Sequence, residues 1–416
     1  MDLDDTPEEA AFRAEARAWL MAEAEPLAPG EAPSAISEFE DPEEIERSRA
    51  WQARKAEAGW ACITWPVEYG GRGGTSMQST IFRQEEARVR TPPDVFTAGS
   101  GMAGPTLLAH GTDEQKARWL PGMARGEQIW CQLFSEPGAG SDLAALCTAA
   151  VRDGDEWVVD GQKLWSSAAN LADWGLLLVR TDRDVGKHAG LTYLLVDMRS
   201  PGIDARPIRQ ITGGANFNEV FLTEVRVPDD HRVGEVGQGW SVALTTLMNE
   251  RSSLGAGGTG GALGVRALLA LAAATHDERG PLLEDDAVCE AIADCYVRAK
   301  GVVYTSLRSL TAASRGVPAG PEGSIAKLVA GRMRQQMMAL ALDLQDLFGA
   351  VVESEPDAAH LPWDHGYLFA PAARLGGGTD EVLRNIIGER VLGLPPEPRV
   401  DKGLTFREVP TGPVPR

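Results

Sequence analysis

The chain has 416 residues, 43% of them hydrophobic and 24% charged, a balance that gives a globular protein ample core for two or three domains. A formal net charge of −20 excludes nucleic acid and anionic membrane surfaces as the main partner, yet leaves room for a small anionic ligand beside a local arginine. Five cysteines (Cys62, Cys131, Cys147, Cys289, Cys295) form no C-x-x-C pair, and an odd number without framework spacing predicts reduced thiols in a cytoplasmic protein. The chain opens on an acidic stretch, Met1 to Glu9, with neither the basic nor the apolar part of a leader peptide, and no later run reaches membrane-spanning length. Residues 8 to 25 place Ala11, Phe12, Ala16, Trp19 and Leu20 at helical spacing. A proline- and acid-rich loop follows, then a helix over 42–58 ending at Gly59, and a loop crowded with glycine and aromatics from Trp60 to Gly74. Helices are predicted at 76–90, 97–110 and 113–125, the last opening on Thr112 to Gln115 with the spacing of a capping box.

The pattern then turns to short β-rich runs: Ile129–Phe134, Trp157–Trp165, Gly175–Arg180, Leu191–Asp197 and Glu219–Leu222. Strands at such intervals predict a small sheet or barrel over about 127–232. From Trp240 the chain is helical again, with segments at 240–275, 285–315, 322–350 and 380–393 that predict a bundle. The fold class is therefore α+β and multidomain. It has an N-terminal helical domain (1–126), a central β domain (127–236), a C-terminal helical bundle (237–395) and a surface tail (396–416).

The first strand of the sheet leads into Ser135-Glu136-Pro137-Gly138-Ala139-Gly140-Ser141-Asp142. Its glycines leave backbone N–H groups uncovered, a loop suited to an anion or a polar heterocycle. Taken alone it is also an ordinary strand-to-loop turn. The six histidines form no i,i+4 pair and no H-E-x-x-H, so no metal site is predicted, and there is no G-x-S-x-G elbow or Walker loop. Gly255-Ala-Gly-Gly-Thr-Gly-Gly261 falls inside a predicted helix and reads either as a site of close packing or as room for a bulky acyl chain, and spacing does not decide between them.

The order helices, sheet, helices, with SEPGAGSD at the head of the sheet, resembles the acyl-CoA dehydrogenase family of flavoproteins. Four further stretches agree: Asp160–Ser167 (DGQKLWSS), Val225-Arg-Val-Pro228 with Val233-Gly-Glu235, Asn249-Glu-Arg251, and Gly376–Ile387. The resemblance runs from about residue 5 to 395 and implies FAD bound between the sheet and the C-terminal bundle. Leu133, Ser135, Gly140 and Ser141 match positions at polar edges of the flavin, and Trp165 and Ser167 match positions at its ring. Thr379 and Glu381 match positions near its adenosine end. For Trp165 spacing alone does not reject a core tryptophan of the small barrel, but with SEPGAGSD upstream the resemblance favours the flavin role.

The resemblance also implies the reaction. An α-proton leaves an acyl-CoA thioester for a carboxylate base, a β-hydride passes to flavin N5, and a trans-2-enoyl thioester results. Many members carry the base directly before the Gly-Thr of the C-terminal motif; here that position is Gly377, which cannot take a proton. A second family arrangement puts it on the first long helix of the C-terminal bundle, where this chain has Glu250 before Arg251. A solvated helix glutamate is the alternative for Glu250, and a surface arginine for Arg251, which otherwise matches a CoA-facing residue. Gly377 matches a position offering its N–H to the thioester carbonyl, and Ser141 is a further substrate candidate.

Homotetrameric members carry an Arg-x-x-Phe-Gly segment after the base-bearing helix. Here Arg279 stands without the Phe, and Leu344–Gly349 matches the companion Gln-x-Phe-Gly-Gly loop only loosely. The combination resembles the Glu-bearing chain of bacterial pairs built from two paralogues, including those acting on steroid side-chain thioesters. A homo-oligomer or a heterotetramer with a paralogous chain is implied, with electron-transferring flavoprotein as acceptor, no nucleic acid and no membrane. Other readings on the same fold are an acyl-CoA oxidase or flavin monooxygenase, a dehydrogenase of carrier-protein thioesters, and a non-catalytic acyl-CoA-binding subunit.

Overall fold

Reciprocal caps start three of the N-terminal helices. Thr6 Oγ1 accepts from the Glu9 amide while Thr6 N–H donates to Glu9 Oε2, which opens α1 (Pro7–Glu23) with a proline in its first turn. After α2 (Pro42–Glu57), Thr75 and Gln78 cap α3 (Ser76–Glu86) in the same way. The Thr112–Gln115 box legible in the sequence caps α5 (Asp113–Ala124). Between them the helix expected over 97–110 is two pieces, a π-helical stretch Thr97–Ala103 and then α4 (Gly104–His110). Gly99, Gly101 and Gly104 loosen this segment, and Pro105 has no N–H to donate to a preceding turn. The computed structural model describes residues 5–27, 41–257, 264–278, 280–314, 320–350 and 363–410.

The described chain forms two compact units. One draws on Glu38–Gly73, Asp94–Glu250 and Pro396–Arg416, the other on Met1–Ser37, Gly74–Pro93 and Arg251–Pro395. The first is built on one sheet of eight strands: β1 (Trp130–Leu133), β2 (Ala149–Asp153), β3 (Glu156–Ser167), β4 (Trp174–Arg180), β5 (Leu191–Asp197), β6 (Ile203–Ile208), β7 (Phe217–Pro228) and β8 (Arg232–Val233). Their order is β6-β7-β3-β2-β4-β5-β8, with β1 pairing parallel to β4.

Side chains alternate between the two faces of a strand, and here both faces are buried. On β4 and β5, Leu176, Leu178, Leu191, Tyr193 and Leu195 enter one core with Leu107, Trp119, Leu120 and Met123 of α4 and α5. Leu177, Val179, Leu194 and Val196 enter the other, with Trp157, Val159, Val220 and Leu222 from β3 and β7. This is why β4 and β5 read as unbroken apolar runs in the sequence. β6, with exposed alternate residues and Pro207, is an edge strand whose pattern is too polar to announce itself.

Helix α6 (Gly239–Gly257) begins against β5. A Cβ at Gly239 would lie 2.6 Å from the Thr192 backbone, so only glycine allows this approach. The long helix expected over 240–275 is α6 and α7 (Val265–Ala274), with 258–263 outside the described residues. The second unit gathers α7, α8 (Asp286–Ser314), α9 (Gly323–Leu344) and α10 (Trp363–Phe369) around Leu268, Ile292, Met337, Met338 and Trp363. α9 stops at Leu344 and a 3₁₀ turn, Asp346–Ala350, completes the stretch expected to be helical. α11 (Asp380–Ile386) closes it, running on into a π-helical turn over Ile387–Val391.

Candidate active site

The loop after β1 is held from inside the sheet. Glu136 Oε2 accepts from the Cys147 amide at 2.7 Å, and Oε1 accepts from the Thr148 amide and from Lys163 Nζ, both at 2.9 Å. Lys163, wholly buried on β3, also donates to the carbonyls of Phe134 and Leu178. Burial opposes ionisation of Glu136, but Lys163 and the two amides outweigh it and hold the carboxyl below its usual range. Burial pushes Lys163 down to about 8 against the pull of Glu136. The acid of SEPGAGSD is thus a structural staple. Its partner lies inside DGQKLWSS, so the two motifs are two halves of one internal contact.

Beyond Glu136 the loop opens. Glu136 and Ala139 exchange backbone hydrogen bonds, which turns Pro137 and Gly138 outward. A Cβ built at Gly138 or Gly140 meets nothing within 4 Å, and Ser141 is exposed. Leu133, at the end of β1, is buried, while Ser135 is half-buried with its carbonyl accepting from the Leu164 amide.

A β-bulge sets the neighbouring aromatic. Lys163 pairs with Val220 but Ser166 pairs with Asn218, so two residues of β3 face one of β7. Trp165 takes φ +61° in that bulge and stands 57% exposed, edge-on to Phe217. The core-tryptophan reading is therefore excluded. Ser167, two residues on, is also exposed.

Glu250 continues the buried stripe of α6. Val242, Ala243 and Thr246 on that stripe enter the core, and Thr246 shares hydrogen bonds with Thr106 and Tyr193. One turn later Glu250 is half-buried, and its Oε2 accepts from Gln132 Nε2 of β1 at 3.3 Å. Glu250 is thus not a fully solvated helix glutamate. Gln132 was missed in the sequence, although a polar residue inside the apolar run Ile129–Phe134 is the signal that flags it. The Arg251 side chain lies outside the described residues, as does Arg279.

The remaining candidates belong to the other unit. Gly377 and Gly378 take φ +66° and +104°, which disfavour any side chain. Thr379 Oγ1 accepts from the Val382 amide and caps α11. Asp380 is buried and paired with Arg374 at 2.7 Å and Arg332 at 3.4 Å, while Lys327 Nζ donates to the Gly378 carbonyl. Glu381 is exposed, 3.9 Å from Arg384. Among the described residues no group of three His, Cys, Asp or Glu side chains is placed to hold a metal ion, and no helix is long and apolar enough to cross a membrane.

Along the described chain, helices, a sheet with an open glycine loop and a second set of helices follow one another. Family models described as the N-terminal, middle and C-terminal domains of acyl-CoA dehydrogenase match residues 6–127, 131–225 and 237–392. The chain belongs to the acyl-CoA dehydrogenase family. Acyl-CoA dehydrogenase IpdE1 of Mycobacterium tuberculosis (strain ATCC 25618 / H37Rv) is 40% identical over 397 residues, 93% of this chain and 98% of that one. A solved structure named Tcur3481-Tcur3483 steroid ACAD matches with a TM-score of 0.78 at 28% identity, covering 95% of this chain and 100% of that chain. The ChsE4-ChsE5 complex from Mycobacterium tuberculosis matches with a TM-score of 0.76 at 30% identity, with the same coverages. As a member of this family the chain is an acyl-CoA dehydrogenase, a flavoprotein enzyme that desaturates acyl-CoA thioesters.

The residues present in the β unit fit a flavin. The bare amides at Gly138 and Gly140 and the exposed hydroxyls of Ser141 and Ser167 are donors for polar ring edges. The half-exposed indole of Trp165, fixed by the bulge, offers an apolar face to a planar ring.

Proposed function

We propose that this chain uses FAD and that Glu250 is the base that removes the α-proton of the acyl-CoA thioester. What supports the reading is the position of Glu250 on the apolar stripe of α6, hydrogen-bonded to the strand that runs directly into the Ser135–Asp142 loop. When bound, the flavin supplies the hydride acceptor, N5. Leu133, Ser135, Gly140, Ser141, Trp165 and Ser167 hold its ring, and Thr379 and Glu381 its adenosine end. Ser141, Arg251 and the Gly377 N–H bind the thioester. Half-buried on the helix face that carries Val242, Ala243 and Thr246 into the core, Glu250 is placed to act as that base. Gly377, at a backbone conformation that disfavours side chains, leaves the basic role to Glu250.

The acyl group proposed is bulky and polycyclic, in keeping with the likeness to a structure named as a steroid dehydrogenase. The chain works in the cytoplasm within a tetramer, paired with a paralogue, and passes electrons to an electron-transferring flavoprotein; two of the matching solved structures carry names that join two chains. The test is the visible spectrum of the chain purified alone and with its paralogue, before and after a panel of acyl-CoAs. Bleaching of bound FAD by a steroid side-chain thioester, lost in Glu250→Gln with the FAD retained, is the expected result. Full bleaching by Glu250→Gln would overturn the assignment of the base.

A further inference from the structure

We propose that Gln132 is a positioning residue for Glu250, an inference that rests on the reading of Glu250 as the base. Strand alternation assigns Trp130, Gln132 and Phe134 to one face of β1, and Trp130 and Phe134 lie in the core that also receives Val242 and Ala243 of α6. Gln132 is the polar member of this face, and its amide nitrogen lies 3.3 Å from Glu250 Oε2. An amide that enters an apolar face needs a partner, and a base on a half-buried helix stripe needs a donor to stay ionised until substrate arrives. The bond satisfies the Gln132 amide and engages one oxygen of Glu250.

The hydrogen bond has two consequences. It fixes one carboxylate oxygen, and with it the plane of the carboxyl group, relative to the strand that carries the glycine loop. It also favours the charged form of Glu250, so the base accepts its proton from the α-carbon instead of holding one taken from solvent. Two titratable groups of neighbouring elements, His110 and Tyr193, bond to α6 just before Glu250. His110 of α4, 2.8 Å from Thr245, is kept neutral by burial, which lowers its pKa. Tyr193 of β5, 3.0 Å from Thr246, stays protonated because burial raises its pKa. Arg251 follows Glu250 on α6 itself.

The test compares the holoenzyme with Gln132→Met, Gln132→Glu and Glu250→Gln variants, co-purified with the paralogue if the flavin requires it. The first readout is the acid limb of the kcat/KM–pH profile, with KM for the acyl-CoA measured alongside. The second, independent of turnover, is the titration of ¹³C-labelled glutamate carboxyls by NMR, with the Glu250 resonance assigned by its loss in Glu250→Gln. The expected result is an acid limb and a carboxyl midpoint raised by about 1 pH unit in Gln132→Met, from loss of one charge-assisted hydrogen bond. Gln132→Glu, nearly isosteric, raises both further by like-charge repulsion and serves where methionine disturbs the core. Unmoved limbs and midpoints in both Gln132 variants, with Glu250→Gln inactive, would overturn the inference and leave the base assignment standing. An active Glu250→Gln enzyme would instead remove the base assignment beneath it.

Discussion

Lys163 Nζ and Glu136 Oε1 lie 2.9 Å apart inside the sheet, Lys163 wholly buried and Glu136 nearly so. The pair ties β3 to the root of the glycine loop, and the hydrogen bonds from Lys163 to Phe134 and Leu178 and from the 147–148 amides to Glu136 satisfy both charges. Removing one member leaves the other charge uncompensated, which costs about 3–5 kcal/mol. Glu136→Gln and Lys163→Met are each expected to lower unfolding stability on that scale in urea. The double variant should recover a large part of the loss, since no unpaired charge remains. An additive double variant would show that the two act independently.

Acid should weaken both units through carboxyls held ionised by their surroundings. Glu136, with a usual pKa of 4.5, and Asp380, with a usual pKa of 3.8, both titrate lower in the folded chain. At Asp380 burial opposes ionisation, but Arg374 and Arg332 overcome it. A folded pKa below the unfolded one gives stability that is fully present above the unfolded pKa and lost as pH falls through the folded one. Melting temperature is therefore expected to hold down to about pH 5 and to fall steeply below the usual carboxyl pKa of about 4. Asp380→Asn should flatten that fall for the unit containing α11. An unchanged slope would rule Asp380 out as a contributor.

On the proposed reading, Trp165 would separate folding from cofactor retention. Its ring is 57% exposed, so its removal costs little core, and its backbone sits at φ +61°, where a Cβ is strained. Trp165→Gly is expected to be more stable than Trp165→Ala by about 1 kcal/mol, because only glycine is at ease in that region. Both variants should lose FAD more readily than the parent on gel filtration, read as the ratio of absorbance at 450 nm to that at 280 nm, roughly the flavin and protein bands respectively. Equal retention would remove Trp165 from the flavin site.

Much of this was legible in the residues because period and cap chemistry are local. The Thr112–Gln115 box opened α5, and the apolar runs of β4 and β5 were strands because both faces are covered. β2, β6 and β8 were missed because β6 and β8 are short or edge strands with polar exposed residues, and β2 is five residues long, exposed from Val151 and polar at Arg152 and Asp153. The candidate site was legible only in part. Motifs named Ser135, Trp165 and Glu250, but spacing along a chain does not tell which side chains meet across it. The pairing of Glu136 with Lys163 spans 27 positions, and that of Gln132 with Glu250 spans 118. Trp165 could pass for a core residue until the bulge in β3 turned it outward.

The C-terminal stretch, expected to be a surface tail, carries a specific contact. Phe406 lies over the guanidinium of Arg180 at 3.5 Å, and Arg180, almost wholly buried, donates to the carbonyls of Ala144, Leu146 and Lys187. Lys187 in turn joins Asp401 of the tail at 2.7 Å to Asp142, the residue after Ser141, at 2.9 Å. The tail thus covers the cation that braces the far end of the glycine loop. Phe406→Ala uncovers Arg180 and removes a cation–π contact, with an expected cost of about 1–3 kcal/mol once the lost ring burial is included. Phe406→Leu keeps the cover without the quadrupole and should fall between the two. Deuterium exchange at the amides of residues 138–147 is expected to quicken in Phe406→Ala and in a chain ending at Pro395. Exchange as slow as in the parent would make the tail a passive surface element with no hold on the loop.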